Sequence, residues 1–441
     1  MKQKIIITVL LITACLMQVS AQVPVVAPAQ KKPVILSGGT IHTGTGEVIE
    51  NGIIVFNEGK ITFVGKETDY TQEQSNSEVF DVTGKQVYPG LIFPNTSLGL
   101  IEIGSGVDVA SDDQEIGQLN PNVRAIAAYN TDSHVIPVIR SNGILLAQIV
   151  PNGSLLPGTS SIVQLDAWNW KDAAYRMDNG IQLGWPRSPS GRRGGGGAYQ
   201  MRSASDSNSY KRNVEELEKI FTDAVAYAAI AKPKDINLRL EALKGLFDGS
   251  RILFISASEP KEIISSISFA KRYGVKKIVL VGADEAAWSV KDFLKENNIP
   301  VILENPQSLP RYDYSDVRMP FKLAALFSKE GILVGLTYSK QAYGNLPFIA
   351  GQTVPYGLTK EEALMTVTSN TAKILGIDDI TGTLETGKDA NIVVSTGDIL
   401  DMATNNIELA FITGRNISLD NKHKMLYRRF EEKYKQLQDE K

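Results

Sequence analysis

The chain has 441 residues, of which 43% are hydrophobic and 22% are charged, and its formal net charge is −3 at pH 7. This composition is ordinary for a globular protein, excludes a largely disordered chain, and leaves room for an eight-stranded barrel plus a smaller domain. The slightly acidic balance argues against nucleic acid as a partner.

Residues 1–21 have the composition of a secretory signal peptide. Two lysines precede an apolar run at 5–12, and Val19-Ser20-Ala21 forms a small-residue cleavage signal. The run is too short to remain in a bilayer as an anchor, so we expect no transmembrane span in the mature chain. We therefore predict an exported, periplasmic protein, whose formal charge falls to −5 because residues 1–21 carry two lysines and no acid.

Cys15 is the only cysteine of the chain. It lies in Ile12-Thr13-Ala14-Cys15, which also resembles a lipoprotein cleavage box, so a lipid anchor at Cys15 is the alternative to cleavage after Ala21. The sequence favours cleavage after Ala21. The mature chain then has no disulfide and no thiolate ligand, which suits an oxidising compartment.

Short strand-like runs separated by Gly, Asn and Asp follow a Pro- and Ala-rich linker at 22–32. The same type of run returns near the other end of the chain. We therefore predict one composite β-sandwich domain, built from residues 33–88 together with 383–420. The runs that predict it are 33–39, 52–57, 60–64, 79–82, 390–394 and 407–412.

Between these two segments, residues 89–382 alternate strand-like and helical runs. The clearest series is strand, helix, strand, helix, strand, which predicts right-handed crossovers in a parallel sheet. The fold class is therefore α/β, with a TIM-like (β/α)8 barrel inserted in the β-domain. The series comprises 252–255, 260–273, 277–281, 284–297 and 300–303; helix 321–329 and strand 332–335 follow, and Thr359 with Glu362 predicts a capped helix ending near 375.

The earlier part of the barrel is less regular. Apolar runs at 135–139 and 144–150 are interpreted as strands, and 213–231 has the spacing of an amphipathic helix. The Gly- and Ser-rich stretch 186–209 predicts a flexible loop or lid. Its glycine run at 194–197 lacks the Gly-Lys-Ser/Thr ending of a phosphate-binding loop.

Residues 421–441 predict a C-terminal amphipathic helix. Leu426, Phe430, Tyr434 and Leu437 form one helical stripe. We expect this stripe to dock on the protein's own surface, and recruitment of a partner is the alternative.

The stretch PGLIFPNTSLGL, at 89–100, resembles the first barrel strand of the amidohydrolase superfamily, and of its imidazolonepropionase-like branch in particular. In that family Pro-Gly-Leu-Ile is followed by Asp-x-His-x-His, whose histidines bind a catalytic metal. The resemblance extends through NLP at 345–347, YGL at 356–358, NTAKILG at 370–376 and GTLETGKDA at 382–390. It implies a barrel within a composite β-domain, hydrolysis of C–N bonds with zinc or a similar divalent metal, and homo-oligomers.

The metal-binding residues that the resemblance implies are replaced in this chain. Asn95 and Ser97 occupy the two histidine positions, and Ser256 and Gly282 stand at strand ends where the resemblance places further histidines. Tyr338 replaces the aspartate after the last barrel strand. Amide, hydroxyl and phenol groups bind zinc or iron poorly, so we expect no metal cofactor and can name no catalytic residue.

The remaining candidate catalytic groups are three histidines, two serines and three aspartates. His42, His134 and His423 are distant from one another in sequence, and each is interpreted as a solvated or structural histidine. Ser97 and Ser256 lack a neighbouring base, and Asp284 and the pair Asp112-Asp113 are interpreted as solvated. A glycosidase-like carboxylate pair stays open.

These features favour a non-catalytic homologue that acts as a partner subunit of an active amidohydrolase, or as a homo-oligomer, or binds a ligand in the former cavity. The alternative is a hydrolase of C–N bonds in dipeptides or cyclic amides, with an atypical or partner-completed metal site. A weaker possibility is a ligand-binding protein that uses Trp168, Trp170 and the Gly-rich lid.

Overall fold

The computed structural model describes residues 25–71, 76–102, 111–188, 204–304, 306–338 and 343–439. The predicted signal peptide with Cys15, and residues 189–203 of the predicted loop, lie outside these ranges. The strands in chain order are β1 (Val34–His42), β2 (Val48–Asn57), β3 (Lys60–Lys66), β4 (Glu78–Asp81), β5 (Gln86–Pro89), β6 (Leu91–Thr96), β7 (Ile144–Ile149), β8 (Gly158–Gln164), β9 (Ala174–Gly184), β10 (Ile252–Ser256), β11 (Ile278–Ala283), β12 (Val301–Glu304), β13 (Val334–Thr337), β14 (Ile392–Ser395), β15 (Ile407–Ile412) and β16 (Arg415–Asn416).

The helices lie mainly between the later strands. In chain order they are α1 (Val135–Arg140), α2 (Trp170–Ala173), α3 (Ala204–Ala228), α4 (Leu238–Leu243), α5 (Gly245–Asp248), α6 (Pro260–Arg272), α7 (Glu285–Trp288), α8 (Lys291–Glu296), α9 (Met319–Lys329), α10 (Leu346–Gly351), α11 (Lys360–Met365), α12 (Ser369–Leu375) and α13 (Lys422–Asp439). Among the described residues, no helix is long and apolar enough to cross a membrane.

The first sheet combines strands from both ends of the chain. Its order is β16-β15-β14-β5-β1-β2-β3, and β4 pairs with β1. The two ends meet where β14 runs antiparallel to β5. Phe56 of β2 and Phe411 of β15 pack edge to face with ring centroids 5.0 Å apart, so the apolar core of this sheet also needs both segments.

The second sheet is a nearly closed barrel in the order β13-β12-β11-β10-β9-β8-β7-β6. The Thr337 hydroxyl of β13 donates a hydrogen bond to the Pro94 carbonyl of β6, at 2.6 Å, and so joins the two ends of this sheet. The predicted fold class, a TIM-like barrel with a composite β-domain, is confirmed.

One strand of the barrel departs from the predicted parallel arrangement. β8 runs antiparallel to both β7 and β9. The connection from β7 to β8 covers only 150–157, and a parallel neighbour needs a longer crossover, usually with a helix. The short Pro- and Gly-rich connection therefore forces a hairpin.

The irregular early region also contains the largest errors of the sequence interpretation. The apolar run 135–139 is helix α1, not a strand. A short apolar run has no periodicity that distinguishes a helix from a strand. Strand β9 was not predicted, since its first half is polar. Residues 204–209, predicted as part of the loop, belong to helix α3.

Gly90 is the crossing point between the two sheets. β5 ends at Pro89 and β6 starts at Leu91. A Cβ atom on Gly90 would lie 2.6 Å from Leu145 Cδ1 of β7, so only glycine allows the backbone this close approach.

The later half of the barrel follows the prediction closely. β10, β11, β12 and β13 are successive parallel neighbours. Helix 284–297 is divided into α7 and α8, and the last strand ends at Thr337 instead of 335. The predicted capping box is present at the start of α11, where Thr359 and Glu362 satisfy each other's backbone groups.

The C-terminal helix α13 does not dock on the protein's own surface, so that expectation was wrong. Phe430, Tyr434 and Leu437 are 49%, 60% and 46% exposed. Amphipathic spacing predicts a helix with an apolar face, but it does not identify what covers that face.

Asp166, directly after β8, joins three separate parts of the chain. Its carboxylate accepts hydrogen bonds from Arg140 of α1 at 2.5 Å, from Arg415 of β16 at 2.9 Å, and from the Ala27 backbone at 3.0 Å. The side chains of Asp166 and Arg140 are only 1% and 3% exposed. Burial lowers the pKa of Arg140, against the opposing charge of Asp166. This ion pair therefore stabilises the fold only while both charges are present.

We expect Asp166→Asn to lower the free energy of unfolding by about 3–5 kcal/mol, because it leaves the buried Arg140 charge uncompensated. Denaturant unfolding followed by circular dichroism measures this change. The control is Asp379→Asn, which removes an exposed pair with Arg176 and should change stability by less than about 1 kcal/mol. Equal effects of the two substitutions would show that the Asp166 cluster has no special structural role.

Candidate functional site

The five predicted positions lie at one end of the barrel. Asn95 is near the end of β6 and Ser97 follows it, Ser256 ends β10, Gly282 is near the end of β11, and Tyr338 follows β13. These four strands run in the same direction, so their carboxyl ends form a common rim, the usual location of a barrel active site. The structure therefore brings all five predicted positions to this rim.

Asn95 and Ser97 are placed by a distortion at the end of β6. The pairing of β6 with β7 is irregular between Phe93 and Thr96, and Asn95 has a positive φ of 52°. The Asn95 backbone N–H donates to the Gln148 side chain of β7 at 3.1 Å. Ser97 is fully buried, and its hydroxyl has no hydrogen-bond partner among the described residues. This irregular geometry holds an amide and a hydroxyl at the two positions that the resemblance assigns to histidines.

The other three positions differ in surroundings. Ser256 is exposed, and its carbonyl accepts from the Trp185 backbone N–H at 2.9 Å. Gly282 has a φ of 70°, and a Cβ atom there would lie 3.6 Å from a carboxylate oxygen of Glu304. The Tyr338 hydroxyl donates to the Gln307 side chain at 3.2 Å. Tyr338 thus contacts the segment after β12.

Arg311 in that segment links the loops that follow two other strands. Its guanidinium donates to Asp284, after β11, at 2.7 Å and to Glu259, after β10, at 2.6 Å. Burial by itself lowers the pKa of Arg311, but the charge and hydrogen bond of Asp284 outweigh it and the net pKa is raised. One cation therefore joins the ends of three consecutive strands and forms ion pairs with two carboxylates.

Glu285 strengthens the same connection. This buried side chain accepts from the Arg311 backbone N–H at 2.8 Å and from the Ser315 hydroxyl. The segment 306–318, which we call the rim segment, is thus fixed to α7 at several points. Its outer surface carries exposed apolar side chains, namely Leu309, Tyr314 and Val317.

The rim does not fit the divalent metal that the resemblance implies. Within the described ranges, no group of three or more His, Cys, Asp or Glu side chains is arranged to hold a metal ion. The rim carboxylates of Glu259 and Asp284 already bind Arg311. The described side chains at the predicted positions are poor ligands by chemistry as well.

The sequence interpretation missed Arg311 and Glu259. Arg311 lies in an irregular segment with no motif, and its partners lie 27 and 52 residues away in sequence, so no local pattern could identify it. Asp284, interpreted as solvated, instead pairs with Arg311 and caps helix α7. In the predicted solvated pair, Asp112 is exposed but Asp113 is buried. Trp168 is exposed, and Trp170 packs partly against the core.

The comparisons with known proteins agree with this architecture. Residues 321–417, from helix α9 through β16, match the amidohydrolase family. The resemblance of this chain to the amidohydrolase superfamily is confirmed. No curated protein matches the amidohydrolase-like chain at a significant level.

Solved structures share the fold over most of the chain. An amidohydrolase from Thermotoga maritima MSB8 is 22% identical, with a TM-score of 0.73, over 87% of this chain and 99% of that one. A prolidase complexed with N-methylphosphonate-L-proline is 15% identical, with a TM-score of 0.56, over 88% and 99%. The A. niger ochratoxinase is 14% identical, with a TM-score of 0.52, over 87% and 95%. These likenesses support the amidohydrolase fold.

A second cluster, unrelated to the predicted positions, lies between the first sheet and the barrel. His42 of β1 bonds Glu361 of α11 through Nδ1 at 2.6 Å and Gln86 of β5 through Nε2 at 2.9 Å. Its ring stacks on Tyr88 with centroids 4.4 Å apart. These groups, with Lys360 and Asp398, line a cavity of about 260 Å³. His42 thus joins the first sheet to helix α11, whereas His134 and His423 are exposed.

We expect the contribution of His42 to stability to depend on pH. Burial lowers the pKa of His42, but hydrogen bonds to Glu361 and Gln86 outweigh it, so the folded pKa lies above the usual 6.5. The protonated form therefore stabilises the fold below pH 6.5, and this contribution is lost as pH rises through the folded pKa. His42→Gln should lower the melting temperature more at pH 6 than at pH 8, where the remaining cost is about 1–3 kcal/mol.

The control for this measurement is His423→Gln, since His423 lies on the exposed helix α13. It should leave the melting temperature unchanged at both pH values. An equal loss for His42→Gln at the two pH values would contradict a protonated His42.

We expect Arg311→Ala to release the rim segment, because Glu259 and Asp284 lose their common partner. Hydrogen–deuterium exchange at 306–318 should become faster, and the free energy of unfolding should fall by about 1–2 kcal/mol for this partly exposed ion pair. The control is Arg318→Ala, at an exposed position of the same segment. Unchanged exchange in Arg311→Ala would mean that the segment is fixed by other contacts.

Proposed function

We propose that this chain is an exported, non-catalytic homologue of the metal-dependent amidohydrolases. The observation that supports this proposal is the composition of the rim. An amide, two hydroxyls, a glycine and a phenol stand at Asn95, Ser97, Ser256, Gly282 and Tyr338. A metal-dependent hydrolase needs several histidine or carboxylate ligands to bind its metal and lower the pKa of a bound water.

The Arg311 ion pairs add a second argument. Glu259 and Asp284 follow β10 and β11, and both form ion pairs with the same guanidinium. A carboxylate in such a pair already has a cationic partner, so it is less available to bind a metal ion. At the rim, the Arg311 side chain therefore joins the three loops, and this structural role needs no bound metal.

We further propose that the rim is a binding surface, with an active amidohydrolase homologue as the partner. Leu309 and Tyr314 expose more than four fifths of their surface, on a segment whose backbone is held by Arg311 and Glu285. Exposed apolar side chains on a pre-ordered segment lose little conformational entropy when a partner covers them. Two alternatives have the same basis. The former cavity binds a small ligand, or the rim joins copies of this chain in a homo-oligomer.

The decisive measurement is the metal content of the purified protein, before and after incubation with zinc, manganese and iron. We expect well under one equivalent in each case, together with no hydrolysis of dipeptides or cyclic amides. Affinity capture from the producing cells should then recover a homologue with an intact His-x-His motif, and Leu309→Ser with Tyr314→Ser should abolish this capture. The control pair is Ile236→Ser with Leu238→Ser, which are exposed residues outside the rim segment.

One equivalent of tightly held metal, with hydrolysis that is lost in chelator, would refute the proposal. It would favour the alternative of a C–N hydrolase with an atypical metal site. The position of Glu304 supports this alternative, because its exposed carboxylate lies beside Gly282 at the rim. Glu304→Gln would then be the first substitution to test for loss of the metal.

A further inference from the structure

Helix α13 presents an ordered apolar face on which Phe430, Tyr434 and Leu437 are exposed and Leu426 is partly buried. At 100° per residue, Leu426, Phe430, Tyr434 and Leu437 fall within a sector of about 80°, and Tyr427 extends it by about 20°. His423 lies in the same sector. Tyr427 and Tyr434 are each at least 60% exposed. An apolar face of this kind on an otherwise polar helix is a binding surface.

One edge of this apolar face is lined by cations. Lys422, Arg429 and Lys433 follow the face along the same side of the helix. The Lys433 ammonium lies 6.0 Å from the Phe430 ring centroid and 5.9 Å from that of Tyr434. Its aliphatic stem therefore continues the apolar surface, and its charge lies at the border of it.

The helix is basic within an acidic protein. Its sequence, KHKMLYRRFEEKYKQLQD, has six Lys or Arg against three Asp or Glu, whereas the whole chain has a net charge of −3. Aromatic and aliphatic residues beside a row of Lys and Arg are typical of helices that lie in the headgroup region of anionic bilayers. Charge complementarity thus favours a negatively charged surface.

The position of the helix in the fold agrees with such a surface. Asn421 caps α13 and donates to the Ser141 hydroxyl at 3.1 Å, at the amino end of β7 and so on the side of the barrel opposite the rim. The Ala27 carbonyl is held on this side by Arg415, at 3.1 Å. Ala27 and the start of helix α13 therefore lie on the same side of the barrel.

A second copy of the helix is a poorer occupant. Two antiparallel copies that face each other through this stripe bring the same edges together, so the row of Lys422, Arg429 and Lys433 would face the same row of cations on the other copy. A face of five side chains is also small compared with a stable dimer interface. The like charges that disfavour this pairing favour an anionic partner.

We propose that helix α13 lies flat on an anionic phospholipid surface, with the Leu426, Phe430, Tyr434 and Leu437 side chains in the headgroup boundary and Lys422, Arg429 and Lys433 at the phosphates. This arrangement directs the barrel rim away from the lipid, where a partner has access to it. It is independent of whether the rim is catalytic.

Vesicle co-sedimentation tests the proposal, with a chain that starts at Gln22 and so retains every described residue. The protein should sediment with phosphatidylglycerol vesicles and not with phosphatidylcholine vesicles, and high salt should release it. Phe430→Ser with Leu437→Ser should lower the partition coefficient by about tenfold or more. Met425→Ser, on the opposite side of the helix, is the matched control and should change it little.

Circular dichroism and thermal unfolding of the variants verify folding, because α13 does not contribute to the barrel core and the melting temperature should stay unchanged. Equal sedimentation with both lipids, or equal binding by the double variant, would overturn the proposal. So would dimerisation in analytical ultracentrifugation that the double variant abolishes while vesicle binding is absent. That result would instead assign the face to a second copy.

Discussion

The buried carboxylate of Asp166 is the contact on which the arrangement of the chain depends. It binds Arg140 of the barrel, Arg415 of the first sheet and the backbone at Ala27, so three distant segments share one ion cluster. A buried charge is costly unless its partners are all in place. The barrel and the composite sheet are therefore coupled at this point, and Gly90 supplies the second connection, where the chain passes directly from one sheet to the other.

The barrel rim has the architecture of an amidohydrolase with a different way of holding its loops. In the enzymes that it resembles, a metal joins groups at several strand ends. Here the Arg311 guanidinium connects the loops after β10, β11 and β12 through Asp284 and Glu259. A guanidinium provides charge and directed hydrogen bonds, but it neither acts as a strong Lewis acid nor activates water as a bound zinc does. The two arrangements share a fold and differ in the group that joins the strand ends.

The two remaining features lie away from the rim. His42 connects the first sheet to the barrel through Glu361, in a cavity that also contains Lys360 and Asp398. Helix α13 begins near the amino end of β7 and has a largely uncovered apolar face. The first feature is a pH-dependent contact inside the protein, and the second is the surface that we propose for an anionic lipid.

The sequence alone determined the fold class, the later barrel strands and the composite first sheet, because periodicity, turn residues and motif spacing are local properties. It did not determine the antiparallel β8, helix α1 or the environment of Asp284. Only the tertiary structure decided which charged side chains form pairs. Arg311 binds Asp284 and Glu259, which are 27 and 52 residues away, and His42 pairs with Glu361 across 319 residues. Contacts between distant side chains depend on the packing of whole sheets, and no local pattern encodes them.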